Sequence, residues 1–148
     1  MRRLPLVLLA IFIPVVIASG LDPLDRGDWL LENVLVFIGV PLLVLTARRF
    51  PFSNTSYLCL FVFLCIHELG AHYAYSNAPY HQWIGIGDEG RNHFDRFVHL
   101  LYGLLVAYPM REVFLRIADV RGFWGNFLPL DLVMSTSMLY ELIEWAAA

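Results

Sequence analysis

Long apolar segments separated by short polar ones make up most of the chain. The run YLCLFVFLCI (57–66) contains no charged residue, and comparable runs are bounded by charges and turn residues. A helix needs about 20 mostly apolar residues to cross the hydrocarbon core of a bilayer. Five segments are predicted to be such spans: 4–20, 29–47, 55–75, 93–110 and 123–147. The pattern therefore predicts an all-α, polytopic transmembrane helical bundle, with residues 1–148 as a single integral-membrane domain.

The composition favours a membrane protein over a soluble domain. Hydrophobic residues make up 59% of the 148 residues, whereas soluble domains are about 45–50% apolar. The ten positively charged residues are all arginines, scattered along a chain of net charge −3, which argues against a nucleic-acid partner. Cys59 and Cys65 lie six residues apart in one apolar run and are predicted to be unpaired core residues.

The arginines also predict the orientation in the membrane. If the N-terminus is cytoplasmic, seven arginines lie inside and three outside, in agreement with the positive-inside rule. The segment from Leu4 to Ser19 has some features of a cleaved signal peptide, because it follows Arg2 and Arg3 and ends in small residues. In either case Leu21 lies outside, so the predicted topology of the later spans is the same.

Ionisable residues occur in pairs at helical spacing on each of the last three spans. The pairs are Glu68 with His72, Asp95 with His99, and Glu141 with Glu144. Residues three or four apart share a face of a helix. Because successive spans alternate in direction, all three pairs are predicted to lie in the outer leaflet. Ionisable groups at such depth cost about 2.5–3.5 kcal/mol each, so they are expected to share one site.

A metal centre is the chemistry that this set of residues favours. Imidazole and carboxylate ligands together suit Zn, Fe or Mn, and helical bundles build metal sites from such pairs. The predicted ligands are Glu68, His72, His93, Asp95, His99, Glu141 and Glu144. His67 and Glu68 are the predicted proton-transfer residues, and Glu32 and Asn33 are candidates to support the ligands.

The HELGAH segment is not a zinc-protease motif. That motif needs two histidines four residues apart on one helical face. His67 and His72 are five apart, or about 140° around a helix at 3.6 residues per turn, so they cannot share one metal in that manner.

Three functions are compatible with these residues. The first is a metal-dependent membrane enzyme that acts on a lipid-like or envelope-derived substrate. The second is a proton-coupled transporter in which the same residues relay protons. The third is a structural or partner-binding membrane subunit, in which a buried hydrogen-bond network sets the helix packing. Membrane lipids are expected partners in every case.

Three segments together resemble a known family. HELGAHYAY (67–75), RNHFDRFVHLLYGLLVAYPMRE (91–112) and MSTSMLYELIEW (134–145) are similar to the YjdF-like family of bacterial inner-membrane proteins, which has no established function. The resemblance covers Tyr57 to Trp145 and implies a multi-pass protein of the cell inner membrane. Members of that family continue beyond the last segment into an acidic, Trp-containing outer segment and a further span. This difference leaves open that the present chain is truncated and lacks some ligands.

Overall fold

The helices follow the apolar segments of the sequence. The computed structural model describes residues 3–85 and 92–147, apart from the side chains at positions 144 and 147. Within these ranges the chain forms six α-helices: α1 (Arg3–Gly20), α2 (Arg26–Thr46), α3 (Asn54–His72), α4 (Tyr80–Trp83), α5 (Phe94–Ile117) and α6 (Trp124–Ala147).

Four of these helices, α1, α2, α3 and α5, are long and apolar enough to cross a membrane. α6 has 24 residues, which corresponds to about 36 Å at 1.5 Å per residue, although its sequence is more polar. Large apolar side chains such as Leu45 and Leu104 cover the outer surface of the bundle, as contact with lipid requires. The predicted all-α membrane bundle with about five spans is confirmed.

α3 lies at the centre of the bundle. α1, α2 and α5 all pack against it, and α6 packs against α5. Asp25 caps α2 by accepting hydrogen bonds from the amides of Gly27 and Asp28, at 2.7 and 3.0 Å. Ser53 caps α3 by accepting one from the amide of Ser56, at 3.1 Å. Both caps match the preference of helix starts for Asp and Ser.

α3 ends earlier than predicted, at His72 rather than at residue 75. Ala74 and Tyr75 follow it with φ values of 48° and 47°, and this left-handed conformation cannot continue a right-handed helix. The amide of Tyr75 donates to the carbonyl of Gly70 at 2.9 Å. The end of HELGAHYAY therefore folds back on the helix.

α5 extends further than predicted, to Ile117 rather than to residue 110. Pro109 is inside the helix and removes one backbone hydrogen bond, but the next turn is held to α3. Glu112 accepts hydrogen bonds from the Ser53 amide at 3.0 Å and from the Ser56 hydroxyl at 2.6 Å. Arg116 donates to Glu112 at 2.8 Å. We call Ser53, Ser56, Glu112 and Arg116 the α3–α5 clamp.

The described parts of the connection between α3 and α5, residues 73–85 and 92–93, contact each other and the start of α5. The side-chain amide of Asn92 donates to the carbonyls of Ser76 and Ala78, at 3.0 and 2.6 Å. Its oxygen accepts the amide of Phe94 at 2.9 Å. The short helix α4 adds aromatic contacts, with the rings of Trp83 and Phe94 5.8 Å apart. These contacts place the start of α5 beside the end of α3.

Candidate functional site

Two carboxylates and a histidine converge where α5 meets α6. Nε2 of His99 lies 2.9 Å from Oε1 of Glu141 and 3.4 Å from Oδ1 of Asp95. One ligand atom from each residue lies within 4.8 Å of the other two. We call Asp95, His99 and Glu141 the acidic histidine triad. In the described part of the chain, it is the one group of three His, Cys, Asp or Glu residues with this spacing.

Helical spacing brings the triad together. Asp95 and His99 are four residues apart on α5, and Ser137 and Glu141 are four apart on α6. Nδ1 of His99 lies 2.7 Å from the Ser137 hydroxyl, so one imidazole contacts both α6 residues. The hydroxyl of Tyr102 lies 2.9 Å from that of Thr136. These contacts between α5 and α6 fix the orientation of the His99 ring.

The triad lies at the surface of the bundle. The side chains of Asp95, His99 and Glu141 are 48%, 30% and 54% exposed. Large apolar side chains on the same two helices are also exposed, among them Leu100 and Met138. The carboxylates are therefore accessible from a surface that is otherwise suited to lipid.

The geometry of the triad is compatible with a transition metal. Metal bonds of about 2.0–2.2 Å place neighbouring ligand atoms about 3 Å apart, close to the two distances from His99. A metal-binding histidine commonly donates its second ring N–H to an oxygen, and the Ser137 hydroxyl is placed to accept it. Two carboxylates and one imidazole suit Zn, Fe or Mn.

Glu68 lies in a different environment, at the contact of α1, α2 and α3. Its side chain is 0% exposed, and the Ser19 hydroxyl donates to its Oε2. The indole N–H of Trp29 donates to Ser19 at 3.0 Å, and Asn33 donates to the carbonyl of Trp29 at 3.0 Å. We call Ser19, Trp29, Asn33 and Glu68 the buried polar cluster. Within residues 3–85 and 92–147, Oε1 of Glu68 and Oδ1 of Asn33 have no hydrogen bond of ordinary geometry.

The two histidines of HELGAHYAY also make polar contacts where α1, α2 and α3 meet. Nδ1 of His72 lies 2.9 Å from the carbonyl of Ser19. Nε2 of His67 lies 3.3 Å from the carbonyl of Glu32, and its Nδ1 lies 2.6 Å from the hydroxyl of Tyr75. Both rings thus contact backbone carbonyls of neighbouring helices.

The predicted single group of ligands is therefore divided between two places. Asp95, His99 and Glu141 come together, whereas Glu68 and His72 face α1 and do not join them. The predicted ligand His93 precedes α5, with its Nδ1 3.5 Å from Arg96. The side chain of the predicted ligand Glu144 lies outside the described part of the structure.

Sequence reasoning missed Ser137 and Ser19. A signal for Ser137 was present, since it lies four residues before Glu141 and so shares its face. No comparable signal existed for Ser19, because its contact with Glu68 joins residues 49 positions apart on different helices. Helical spacing gives the face on which a side chain lies, but it does not give the helix opposite that face.

Comparisons with known proteins agree with this architecture. The chain matches a family described as "Predicted membrane protein (DUF2238)" over residues 4–148. It is 35% identical over 139 residues to "Inner membrane protein YjdF" of Escherichia coli (strain K12), covering 90% of this chain and 65% of that relative's length. No solved structure matches the chain.

The expected inner-membrane localisation is confirmed by the relative and by the apolar helices. With a family match across nearly its whole length, the chain belongs to the DUF2238 family of predicted membrane proteins.

Proposed function

We propose that this protein is a metal-dependent enzyme of the inner membrane, with a divalent transition metal held by Asp95, His99 and Glu141 near the outer surface. The observation that supports the proposal is the convergence of two carboxylate oxygens on Nε2 of His99, at 2.9 and 3.4 Å. The two carboxylates repel each other, and a positive charge between them and Nε2 of His99 would relieve that repulsion. A metal ion supplies that charge.

The sequence offers Glu144 as a further ligand. Glu144 follows Glu141 by three residues on α6, and residues at this spacing share a helical face. A fourth protein ligand from Glu144 fits the count that zinc and related metals prefer, while three ligands leave a position open for water or substrate. Zn, Fe and Mn are the candidate ions, because the ligands are nitrogen and oxygen without sulfur.

The surroundings of the triad favour a lipid-like substrate. Asp95 and Glu141 are about half exposed, and the neighbouring exposed side chains Leu100, Met138 and Leu142 are apolar. An amphiphilic molecule can place its polar group at the carboxylates and its apolar part along these helices. A bound metal would act as a Lewis acid or lower the pKa of a coordinated water.

In this proposal, three polar residues of α3 support the site from a distance. His67, Glu68 and His72 hold α3 against α1 and α2 through their contacts with Glu32, Ser19 and the Ser19 carbonyl. Because α5 packs on α3, this arrangement sets the position of the helix that carries Asp95 and His99.

Elemental analysis of detergent-purified protein tests the proposal. We expect about one Zn, Fe or Mn per chain in the wild type and a loss of most of it in His99→Gln. His81→Gln is the matched control, because His81 lies in α4 and is not part of the triad. A wild type without a transition metal, or an unchanged metal content in His99→Gln, would contradict the proposal.

A structural role is the second candidate, and one contact favours it. The hydroxyl of Tyr140 donates to Oε2 of Glu32 at 3.0 Å, which joins α6 to α2 across the bundle. In this account His99 is protonated and forms ion pairs with Asp95 and Glu141. His99→Gln would then lower the unfolding temperature, while a chelator would leave the unfolding temperature of the wild type unchanged.

A further inference from the structure

An apolar pocket lies between α1, α2 and α3, away from both polar groups described above. Its walls include Leu9 and Phe12 of α1, Val44 of α2, and Tyr57 and Leu64 of α3. Its empty space is about 650 Å³, including the part open to the surroundings. α1 and α2 make their main contacts with α3 rather than with each other, so the pocket is a wedge that opens between them.

The pocket lies in the half of the bundle whose end carries the arginines. Pro5 lies in the first turn of α1, and Ala47 follows the last residue of α2. Val44 lines the pocket, and Arg48 comes four residues later. By the positive-inside rule, this end lies in the cytoplasmic leaflet.

Three arginines at this end carry charge that the described protein does not neutralise. Arg3, Arg48 and Arg49 are exposed, and none of them has a side-chain hydrogen bond or ion pair with a described residue. The sequence contains no Asp or Glu from residue 3 to 21 or from 33 to 67.

Two of the three arginines on the other side of the same end differ in this respect. Arg116 donates to Glu112 at 2.8 Å and Arg121 to Asp119 at 2.9 Å, whereas Arg111 donates to the neutral side chain of Asn126 at 2.7 Å. Most of the arginines at this end without a described anionic partner therefore lie beside the pocket.

We propose that the pocket binds an acyl chain of an anionic phospholipid of the inner leaflet, whose phosphate is held by Arg48, Arg49 and Arg3. The apolar walls match a hydrocarbon chain, and the arginines match an anionic headgroup. Arg binds phosphate through a planar fork of N–H donors. The lipid would be a bound component of the protein. Its site is independent of the proposed metal at the opposite end of the bundle.

Native mass spectrometry of the detergent-purified full chain tests this proposal. The probes are phosphatidylglycerol and phosphatidylcholine with identical acyl chains. We expect preferential binding of one phosphatidylglycerol, and a loss of about fivefold in its affinity for each of Arg48→Gln and Arg49→Gln. Arg26→Gln is the control, because Arg26 begins the same helix at its opposite end and should leave the affinity unchanged.

The apolar half of the site is tested with two neighbouring residues. Val44→Trp fills the pocket and is expected to weaken phosphatidylglycerol binding at least about fivefold. Leu45→Trp adds the same side chain at a position that is 78% exposed and does not line the pocket. This variant should therefore bind phosphatidylglycerol with the affinity of the wild type. If Val44→Trp does not fold, a phosphatidylglycerol with six-carbon chains should bind the wild type more weakly than the long-chain lipid.

Three results would overturn the proposal. The first is equal retention of the two lipids by the wild type. The second is equal binding by Val44→Trp and Leu45→Trp, or by the short-chain and long-chain lipids, which would indicate non-specific contact around the bundle. The third is a lipid-free dimer that Val44→Trp converts into a monomer, because the occupant would then be a second copy of the chain. None of these results depends on whether a metal binds.

Discussion

The hydroxyl of Tyr75 lies 2.6 Å from Nδ1 of His67, and the chain between them reverses direction immediately after α3. The reversal requires positive φ at Ala74 and Tyr75, a conformation that costs L-residues free energy. The Tyr75 ring covers Gly70, because a Cβ placed there would lie 2.6 Å from Cε1 of the ring. The absence of a side chain at residue 70 therefore permits the contact between Tyr75 and His67.

Gly70→Ala should destabilise the protein by about 1–3 kcal/mol, since the added methyl group displaces the ring of Tyr75. The measurement is thermal or denaturant unfolding in detergent. Gly103→Ala is the matched control, because a Cβ at that helical position meets nothing within 4 Å and alanine favours a helix more than glycine does. Equal stability of the two variants would show that Tyr75 does not pack against Gly70.

Ser19→Ala should also lower the stability, by about 1–3 kcal/mol, because two buried groups would lose their partner. The indole of Trp29 would lose its acceptor, and Oε2 of Glu68 would lose the donor from Ser19. Unfolding of the purified protein measures the effect. Ser76→Ala is the control, since the hydrogen bonds of the Ser76 hydroxyl, to the Ala74 carbonyl and from the Asn77 side-chain amide, are exposed. A neutral Ser19→Ala would mean that the buried polar cluster adds little to the packing of α1.

Metal addition to chelator-treated, metal-free wild type should raise its unfolding temperature. A ligand that binds only the folded state at 100 times its Kd stabilises that state by about 2.7 kcal/mol. We expect a shift for Zn, Fe or Mn, no shift in Asp95→Asn or Glu141→Gln, and a normal shift in His67→Gln, because His67 lies outside the triad. A normal shift in both carboxylate variants would place the metal elsewhere.

Glu112→Gln should destabilise the contact between α3 and α5 by about 1–3 kcal/mol, because it weakens the charged hydrogen bonds of the α3–α5 clamp. Unfolding in detergent checks this expectation, and the metal content should stay unchanged. Asp119→Asn is the control, because its pair with Arg121 is 75–79% exposed and such pairs contribute less than about 1 kcal/mol. Equal effects of the two changes would mean that the clamp is no stronger than a surface pair.

The sequence predicts most of the helices and about half of the candidate site. Apolar length predicts the spans, and spacing along one helix predicts that Asp95 and His99 share a face. The sequence could not predict that Glu68 faces Ser19, because that contact depends on how α1 packs against α3. The end of α3 was also missed, since the apolar pattern continues through Ala74 and Tyr75 while their backbone reverses the chain.

The central position of α3 has a consequence for synthesis of the protein. α1 and α2 enter the membrane before α3, yet both make their main contacts with α3, so most of their packing surface is missing until it arrives. α6 contacts α5 and carries Glu141. The acidic histidine triad can therefore form only when α6 reaches α5, later than the contacts that join α3 to α1 and α2.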